Sequence, residues 1–223
     1  MTGRTLWREC AAWAPFAAAA LATRSPRVHA WEQRTTRRLN DLPDQLHAPL
    51  WTIMQAGSLG APFAAAGVAA ASRRFDLAVR LLRSGLTAYA LAKGVKRIVR
   101  RGRPEGLVAG VRIRGEPATG GGFVSGHAAV SMALACETCR YLGPMAWPLP
   151  LVVAPVVAAA RVYVGAHLPL DVLGGAALGG AVCATFAAVS AKPMTREAGA
   201  EGTQRASVRG RWAKPAPPGR PCR

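Results

Sequence analysis

The sequence has few acidic residues and few aromatic residues. Its 223 residues include 11 Asp and Glu against 29 Lys and Arg, which gives a net charge of +18, and only 6% are aromatic. A chain this basic could bind nucleic acid. However, no aromatic side chains alternate with the basic runs to stack on bases, and the basic residues fall mainly between apolar stretches or near the C-terminus. This arrangement argues against a nucleic-acid partner and is typical of a membrane protein with basic loops.

Cysteine is also scarce, at five residues. Cys136 and Cys139 form a C-x-x-C pair, but no further ligands lie at the spacing that a zinc site requires. The pair falls within an apolar segment, where small buried residues on a helix are the simpler interpretation. The sequence therefore predicts neither a disulfide framework nor a metal site.

What the sequence does contain is a set of long apolar stretches. A transmembrane helix needs about 20 mostly apolar residues. The second and sixth of the stretches meet this requirement, whereas the first and fourth are short. We predict an all-α polytopic membrane protein with about six transmembrane helices in a bundle and the active site at one membrane face. The stretches run from Ala11 to Thr23, Leu50 to Ala71, Leu77 to Val95, Ala128 to Leu142, Ala146 to Val164 and Leu168 to Ser190.

Two N-terminal segments allow alternative interpretations. The first stretch, preceded by Arg4 and Arg8, loosely resembles a signal peptide, but Arg24 follows it closely and favours an uncleaved helix. The polar segment of residues 26–49 carries Trp31 on an apolar side and could form an interfacial amphipathic helix.

The charge distribution predicts the domain boundary and the topology. Residues 1–190 are predicted as a membrane-embedded domain with a motif-bearing core over 50–190, and residues 191–223 as a basic, disordered tail. Because cytoplasmic segments carry excess Lys and Arg, the tail is predicted to be cytoplasmic. The loops after the third and fifth spans then face outward. The outward segment from Lys93 to Arg114 carries eight basic residues, whereas outward loops normally carry few. This conflict is resolved if these residues bind substrate or take part in catalysis.

The first segment that could carry chemistry runs from Lys96 to Pro104. If the third helix continues through it, Lys96, Arg100 and Arg103 share one face. A guanidinium can hold two phosphate oxygens and an ammonium one, so these cations could hold a phosphoryl group. Alternatively, they form a basic cluster that attracts anionic lipid headgroups.

The second segment runs from Gly120 to His127 and leads into an apolar helix. Glycine lets the backbone approach an anion closely, and the amides at a helix start favour negative charge. Ser125 adds a hydroxyl group, and His127 can transfer a proton near neutral pH. Alternatively, Ser125 only caps the helix.

The third segment contains Arg161, His167 and Asp171. Proline is tolerated in the first turn of a helix, so Pro169 places His167 at the start of the sixth span and Asp171 one turn inside it. A carboxylate there can accept the imidazole N–H and leave the other nitrogen free to attack. An Asp in an apolar span costs roughly 2.5–3.5 kcal/mol, and His167 is its nearest candidate partner.

Together the three segments resemble a known family. The order Lys-x6-Arg-Pro, Ser-Gly-His and Arg-x5-His-x3-Asp, from Lys96 to Asp171, is similar to the motifs of the type 2 phosphatidic acid phosphatase superfamily. This superfamily includes membrane lipid phosphatases, undecaprenyl diphosphate phosphatases, glucose-6-phosphatase and the soluble vanadium haloperoxidases. Two positions depart from the pattern: Val124 replaces the usual proline and Ala160 the usual serine. Loss of that serine would remove one hydrogen bond to phosphate.

The resemblance implies a role for each matching residue. His167 resembles the nucleophile that forms a phosphohistidine, Asp171 its orienting partner, and His127 the general acid for the leaving oxygen. It also implies that the reaction uses no metal or other cofactor. The phosphate-binding residues that it implies are Lys96, Arg103, Ser125, Gly126 and Arg161.

The expected function is therefore hydrolysis of the terminal phosphate of a lipid phosphate or diphosphate in a bacterial inner membrane, with the active site on the extracytoplasmic face. Polyprenyl diphosphate is the first choice of substrate. Phosphatidate, phosphatidylglycerol phosphate and a polyprenyl-phosphosugar phosphate are alternatives. A non-catalytic lipid-phosphate binder or transporter is the alternative from another class, although a binder has little use for His127, His167 and Asp171 together.

Overall fold

The apolar stretches of the sequence fold into helices separated by turns rich in glycine and proline. The computed structural model describes residues 3–25, 27–117 and 119–190. This part of the chain contains α-helices, short 3₁₀ or π segments and no strand, so the all-α prediction is confirmed. The α-helices are α1 (Gly3–Ala22), α2 (Ala30–Asn40), α3 (His47–Met54), α4 (Ala61–Ala71), α5 (Phe75–Val99), α6 (Pro104–Leu107), α7 (Gly126–Leu142), α8 (Ala154–Tyr163) and α9 (Pro169–Ser190).

The stretch from Leu50 to Ala71, predicted as one span, is broken in the structure. A 3₁₀ turn at Gln55–Gly57 ends α3, and α4 begins after Gly60 with Pro62 in its first turn. The two helical arms meet at 74°. Gly60 and Pro62 favour this break. Glycine does not stabilise a helix, and proline has no N–H with which to continue the helix before it.

The predicted boundary between the fourth stretch, Ala128 to Leu142, and the fifth, Ala146 to Val164, is a sharp bend in the structure. A 3₁₀ turn at Gly143–Ala146 follows α7, and a π-helical segment at Leu149–Val153 precedes α8. Pro148 and Pro150 lie in this connection, and the two arms on either side of it meet at 118°. The fourth and fifth predicted spans therefore form one sharply bent pair.

By length and composition, one helix of the described residues is able to cross a membrane on its own. It is α9, with 22 residues and a mean hydropathy of 1.9 in its most apolar window. The number rises to three if α3 with α4 and α7 with α8 each count as one span. Within α5, Arg80, Arg83 and Lys93 interrupt the apolar sequence. The six predicted spans stay a prediction.

The glycines of α9 allow it to approach α7 closely. A Cβ atom at Gly175 would clash with the Ser125 carbonyl, and one at Gly179 would clash with the Ala129 carbonyl. Gly180, in contrast, has no neighbouring atom within 4 Å of its Cβ position. Small residues thus let two helix backbones come together.

Helix α2 differs from the predicted interfacial helix. Its polar side chains Glu32, Thr36 and Asn40 are buried, whereas Trp31 is 39% exposed. Asn40 Nδ2 donates to the carbonyl oxygens of Arg112 and Tyr163, both at 2.8 Å. The helix therefore packs on the protein through its polar face, where Glu32 and Asn40 have buried hydrogen-bond partners. Thr36 Oγ1 has none among the described residues.

Helix α1 also packs on α9. Trp13 Nε1 donates to Thr185 Oγ1 at 3.1 Å, and the Phe16 ring stacks on that of Phe123 at 6.2 Å. The basic tail predicted for residues 191–223 lies outside the described residues.

Candidate active site

The three motif segments come together around one cavity of about 200 Å³. Ser125 and Asp171 are fully buried and do not line the cavity. The wall also includes Gly57, Leu59 and Tyr89, which sequence reasoning did not identify. The predicted site residues that line the cavity are Lys96, Arg103, Gly126, His127, Arg161 and His167.

The end of α5 separates the cations that the sequence placed on one helix face. The helix stops at Val99, and Arg100 adopts a left-handed conformation with φ 47°. Gly102 and Pro104 follow, and neither continues a helix. Lys96 therefore projects from the last turn of α5 and Arg103 from the loop beyond it. Arg100 is exposed and does not line the cavity, so its predicted place beside Lys96 is wrong.

Arg103 holds two backbone segments through its guanidinium. It donates to the carbonyl oxygens of Thr119, Gly120 and Ala166 at 2.7, 3.0 and 2.7 Å. A guanidinium has five N–H donors, so two remain for a ligand. Burial lowers the pKa of Arg103 from its usual value, but an arginine stays charged in proteins. Arg103 thus joins the loop before α7 to the turn before α9 and still presents charge to the cavity.

The start of α7 places Ser125, Gly126 and His127. Ser125 is the N-cap, and its hydroxyl accepts a long hydrogen bond of 3.4 Å from the Ala128 amide. Its own amide donates to the carbonyl oxygen of Asp171 at 2.8 Å. The second and third motifs are therefore joined through the main chain.

A tight turn connects α8 to His167. The amides of Ala166 and His167 both donate to the Arg161 carbonyl oxygen, at 3.1 and 3.2 Å. Gly165 has φ +76°, a conformation that favours glycine, and lies against the Arg112 carbonyl group. The Arg161 side chain contacts Met54 Sδ at 3.2 Å, and its Nε is buried without a hydrogen-bond partner in the described structure. This turn brings Arg161 and His167 to the same cavity.

His167 and Asp171 are neighbours without a direct hydrogen bond. The distance from His167 Nδ1 to Asp171 Oδ2 is 3.7 Å, and Nδ1 has no partner in the described residues. Asp171 Oδ2 instead accepts the Leu168 amide at 2.8 Å. Burial lowers the pKa of His167 to about 4, against the raising effect of the Asp171 carboxylate. The imidazole is therefore neutral near pH 7, as a nucleophile must be.

The nearest cation to Asp171 is Arg101, which sequence reasoning did not single out. Arg101 Nη1 donates to Asp171 Oδ1 at 2.8 Å, and its Nη2 donates to Glu32 Oε2 at 2.7 Å. Both carboxylates are fully buried and the arginine side chain is 9% exposed. Removing one partner of such a buried pair typically costs about 3–5 kcal/mol. Two signals pointed to this group: a buried Asp needs a cation, and Glu32 is the only acidic residue in the basic helix α2.

Comparison with protein families identifies the chain. Residues 77–194, slightly more than half of its length, match the model of the PAP2 superfamily. The chain belongs to the PAP2 superfamily. The matched residues include all three motif segments and end just after α9.

Among curated PAP2-type relatives, the chain is similar to the decaprenylphosphoryl-5-phosphoribose phosphatase of two strains of Mycobacterium tuberculosis. Each is 38% identical over 95 residues, which is 43% of this chain and 51% of the relative. The match therefore spans about half the length of these relatives.

Two solved structures share the PAP2 fold with this chain. One is the first transmembrane PAP2 type phosphatidylglycerolphosphate phosphatase from Bacillus subtilis, with a TM-score of 0.66 and 20% identity over 84% of this chain and 99% of that one. The other is Aquifex aeolicus LpxE, with a TM-score of 0.65 and 21% identity over 74% of this chain and 98% of that one. At these identities the likeness shows the fold.

In this PAP2 chain the cavity is lined by two histidines and by four cations, which are Lys93 and the three from the motif segments. Lys96, Arg103 and Arg161 can bind and neutralise the oxygens of a phosphoryl group. His127 and His167 line the same cavity, so one can act as nucleophile while the other transfers a proton. This combination of residues can carry out phosphoryl transfer.

Proposed function

We propose that the chain is an integral membrane phosphatase that removes the terminal phosphate of a lipid phosphate or diphosphate through a phosphohistidine at His167. One observation carries the proposal: His127 and His167 share a cavity with Lys96, Arg103 and Arg161. A lipid-phosphate binder or transporter would need the cations, but not two histidines and a buried aspartate at the same place.

The proposed reaction has two steps at His167. Its Nδ1 faces Asp171, so Nε2 attacks phosphorus, the P–N bond forms and the bond to the leaving oxygen breaks. His127 gives a proton to that oxygen. Water then attacks phosphorus, with His127 as base, and the P–N bond breaks to release phosphate. The three cations stabilise the charge on the equatorial oxygens in both steps. No step uses a metal ion.

The first candidate substrate is a polyprenyl diphosphate. Its leaving group is itself a phosphate, so the cationic segments around the cavity could bind both phosphates. The cavity lining includes the apolar side chain of Leu59 and the aromatic ring of Tyr89, which supports contact with the lipid chain. Phosphatidate and phosphatidylglycerol phosphate are the alternatives with a glycerol backbone.

A polyprenyl-phosphosugar phosphate is the second candidate, and two observations favour it. The Mycobacterium tuberculosis relatives are named as phosphatases of a decaprenyl-linked phosphoribose. In addition, a neighbouring cavity of about 370 Å³ shares Arg103 and Arg161 with the catalytic cavity. Trp51 and Glu105 line this second cavity, and an aromatic ring with a carboxylate suits a polyhydroxylated group.

The proposed setting is a bacterial inner membrane, crossed by about six helices. Exposed apolar side chains on α4 and α5 support contact with lipid: Phe63, Val68 and Val79 are 56%, 69% and 61% exposed. The active site is proposed to face the extracytoplasmic side and the tail of residues 191–223 the cytoplasm, as the charge distribution indicates.

The test is phosphate release by the purified protein in detergent. Polyprenyl diphosphate, phosphatidate and a polyprenyl-phosphosugar phosphate are offered in parallel, with chelator present, to wild type and to His167→Ala. We expect release in chelator that His167→Ala abolishes, and alkali-quenched wild type should carry an acid-labile phosphohistidine that His167→Ala lacks. The ratio of kcat/KM values selects the substrate. Undiminished release by His167→Ala would refute the nucleophile, and tight binding of all three lipids without release would favour the binder.

A further inference from the structure

Arg101 joins two carboxylates that come from distant parts of the sequence. Glu32 lies on α2, outside the residues that match the family, whereas Asp171 lies at the start of α9. The guanidinium donates to Glu32 at 2.7 Å and to Asp171 at 2.8 Å. The three side chains form a buried group with one positive and two negative charges, which we call the Glu32–Arg101–Asp171 relay.

The relay also holds the backbone next to His167. The second oxygen of Glu32 accepts the Leu170 amide at 3.1 Å, and the second oxygen of Asp171 accepts the Leu168 amide at 2.8 Å. These amides lie on either side of Pro169. The turn that follows His167 is therefore fixed from both ends of the relay.

The charges of the relay explain why both carboxylates are present. Arg101 alone would cancel the charge of Asp171, and Asp171 would then do little for His167. Glu32 offsets Arg101, so the relay keeps one net negative charge, with Asp171 Oδ2 at 3.7 Å from His167 Nδ1. When Nε2 of a neutral imidazole bonds to phosphorus, the ring becomes positively charged. In a buried site a net negative charge at this distance stabilises that state.

We propose that Glu32 and Arg101 are positioning residues for phosphoryl transfer, which orient Asp171 and maintain the negative charge that His167 requires. This inference rests on the proposed function. It predicts an effect on the chemical step and not on phosphate binding, because the relay residues do not line the cavity.

The experiment measures kcat and KM of the full chain with the preferred lipid substrate. The variants are Glu32→Gln, which keeps the shape and removes the charge, Glu32→Asp, which keeps the charge, and Arg101→Lys. Asp41→Asn and Arg100→Gln serve as matched controls, since both residues are exposed and lie next to α2 and Arg101 respectively. Melting temperatures and the folded fraction are recorded for each protein.

For Glu32→Gln we expect kcat to fall on the order of 10-fold or more, as for outer partners of catalytic groups, with KM close to wild type. Glu32→Asp should recover part of this loss. In an Asp171→Asn background Glu32→Gln should add little, because both changes act through the same group. The controls should match wild type.

A Glu32→Gln protein that loses melting temperature but keeps wild-type kcat would overturn the inference, as would losses that multiply in the double variant. Both results leave the proposed function intact, provided that turnover depends on His167. If wild type shows no His167-dependent turnover, the proposed function fails and this inference fails with it. If Arg101→Lys does not fold, the comparison of kcat between Glu32→Gln and Glu32→Asp still tests the inference.

Discussion

The guanidinium of Arg103 donates to the carbonyl oxygen of Ala166, the residue immediately before His167, at 2.7 Å. A cation of the first motif thus holds the backbone next to His167, the proposed nucleophile, in addition to facing the cavity. Lysine has one ammonium group and lacks the planar fork needed to bind carbonyls in several directions. We expect Arg103→Lys to lower kcat/KM by about 100-fold or more, measured as lipid phosphate hydrolysis by folded protein.

The matched control for Arg103→Lys is Arg97→Lys. Arg97 is exposed near the end of α5 and does not line the cavity, so its replacement should leave kcat/KM at the wild-type value. Wild-type activity in Arg103→Lys would show that a single charge suffices and that the contact with Ala166 has no role.

Gly57 allows the 3₁₀ turn at Gln55–Gly57 to pack closely on the start of α7. A Cβ atom at Gly57 would overlap the main chain of His127, because the 3₁₀ turn packs directly on the helix start. Gly57→Ala should displace His127, and a displacement near 1 Å can cost about 100-fold in rate. We expect kcat to fall while the protein stays folded, as checked by size-exclusion chromatography and turnover. Gly67→Ala on α4, where no atom lies within 4 Å, should retain activity; equal turnover in both variants would contradict the prediction.

The burial of His167 predicts a pH dependence of stability. Its pKa is lowered to about 4 in the folded protein, from the usual 6.5. Between these values the unfolded chain binds a proton that the folded chain does not, so stability falls as the pH falls. The full effect is roughly 3 kcal/mol, at about 1.4 kcal/mol per pH unit.

The measurement compares thermal unfolding of wild type and His167→Gln in detergent from pH 7 to pH 4. Other titrating groups are common to both proteins, so the difference between them isolates His167. We expect wild type to lose stability relative to His167→Gln as the pH falls. A difference that stays constant with pH would show that the imidazole has the same pKa in the folded and the unfolded chain.

Two neighbouring glycines of α9 provide a matched pair for helix packing. Gly179→Ala would press on the Ala129 carbonyl of α7, whereas Gly180→Ala meets no atom within 4 Å. Overpacking typically costs about 1–3 kcal/mol, so Gly179→Ala should lower the melting temperature and Gly180→Ala should not. The reverse order would place α7 on the other face of α9.

Local patterns predicted most of the helices and six residues that line the cavity, but not Gly57, Leu59 and Tyr89 or the contacts between distant segments. The prediction that Lys96 and Arg103 share a helix face failed because Arg100 ends α5 in a left-handed conformation. The pairing of Asp171 with Arg101 was missed, since sequence distance favoured His167 as its partner. Glu32 could not be assigned for the same reason, as its partner is 69 residues away. The break near Gly57 was missed because hydropathy averages over short turns.

The hydrogen bond from the Ser125 amide to the Asp171 carbonyl has a consequence for how this site can diverge. Both of its atoms belong to the peptide backbone, so replacing either side chain leaves the bond in place. The helix starts that carry His127 and Asp171 can therefore stay in register while the surrounding sequence drifts. Substrate preference could then change through residues such as Trp51 and Leu59 while the geometry of phosphoryl transfer is inherited unchanged.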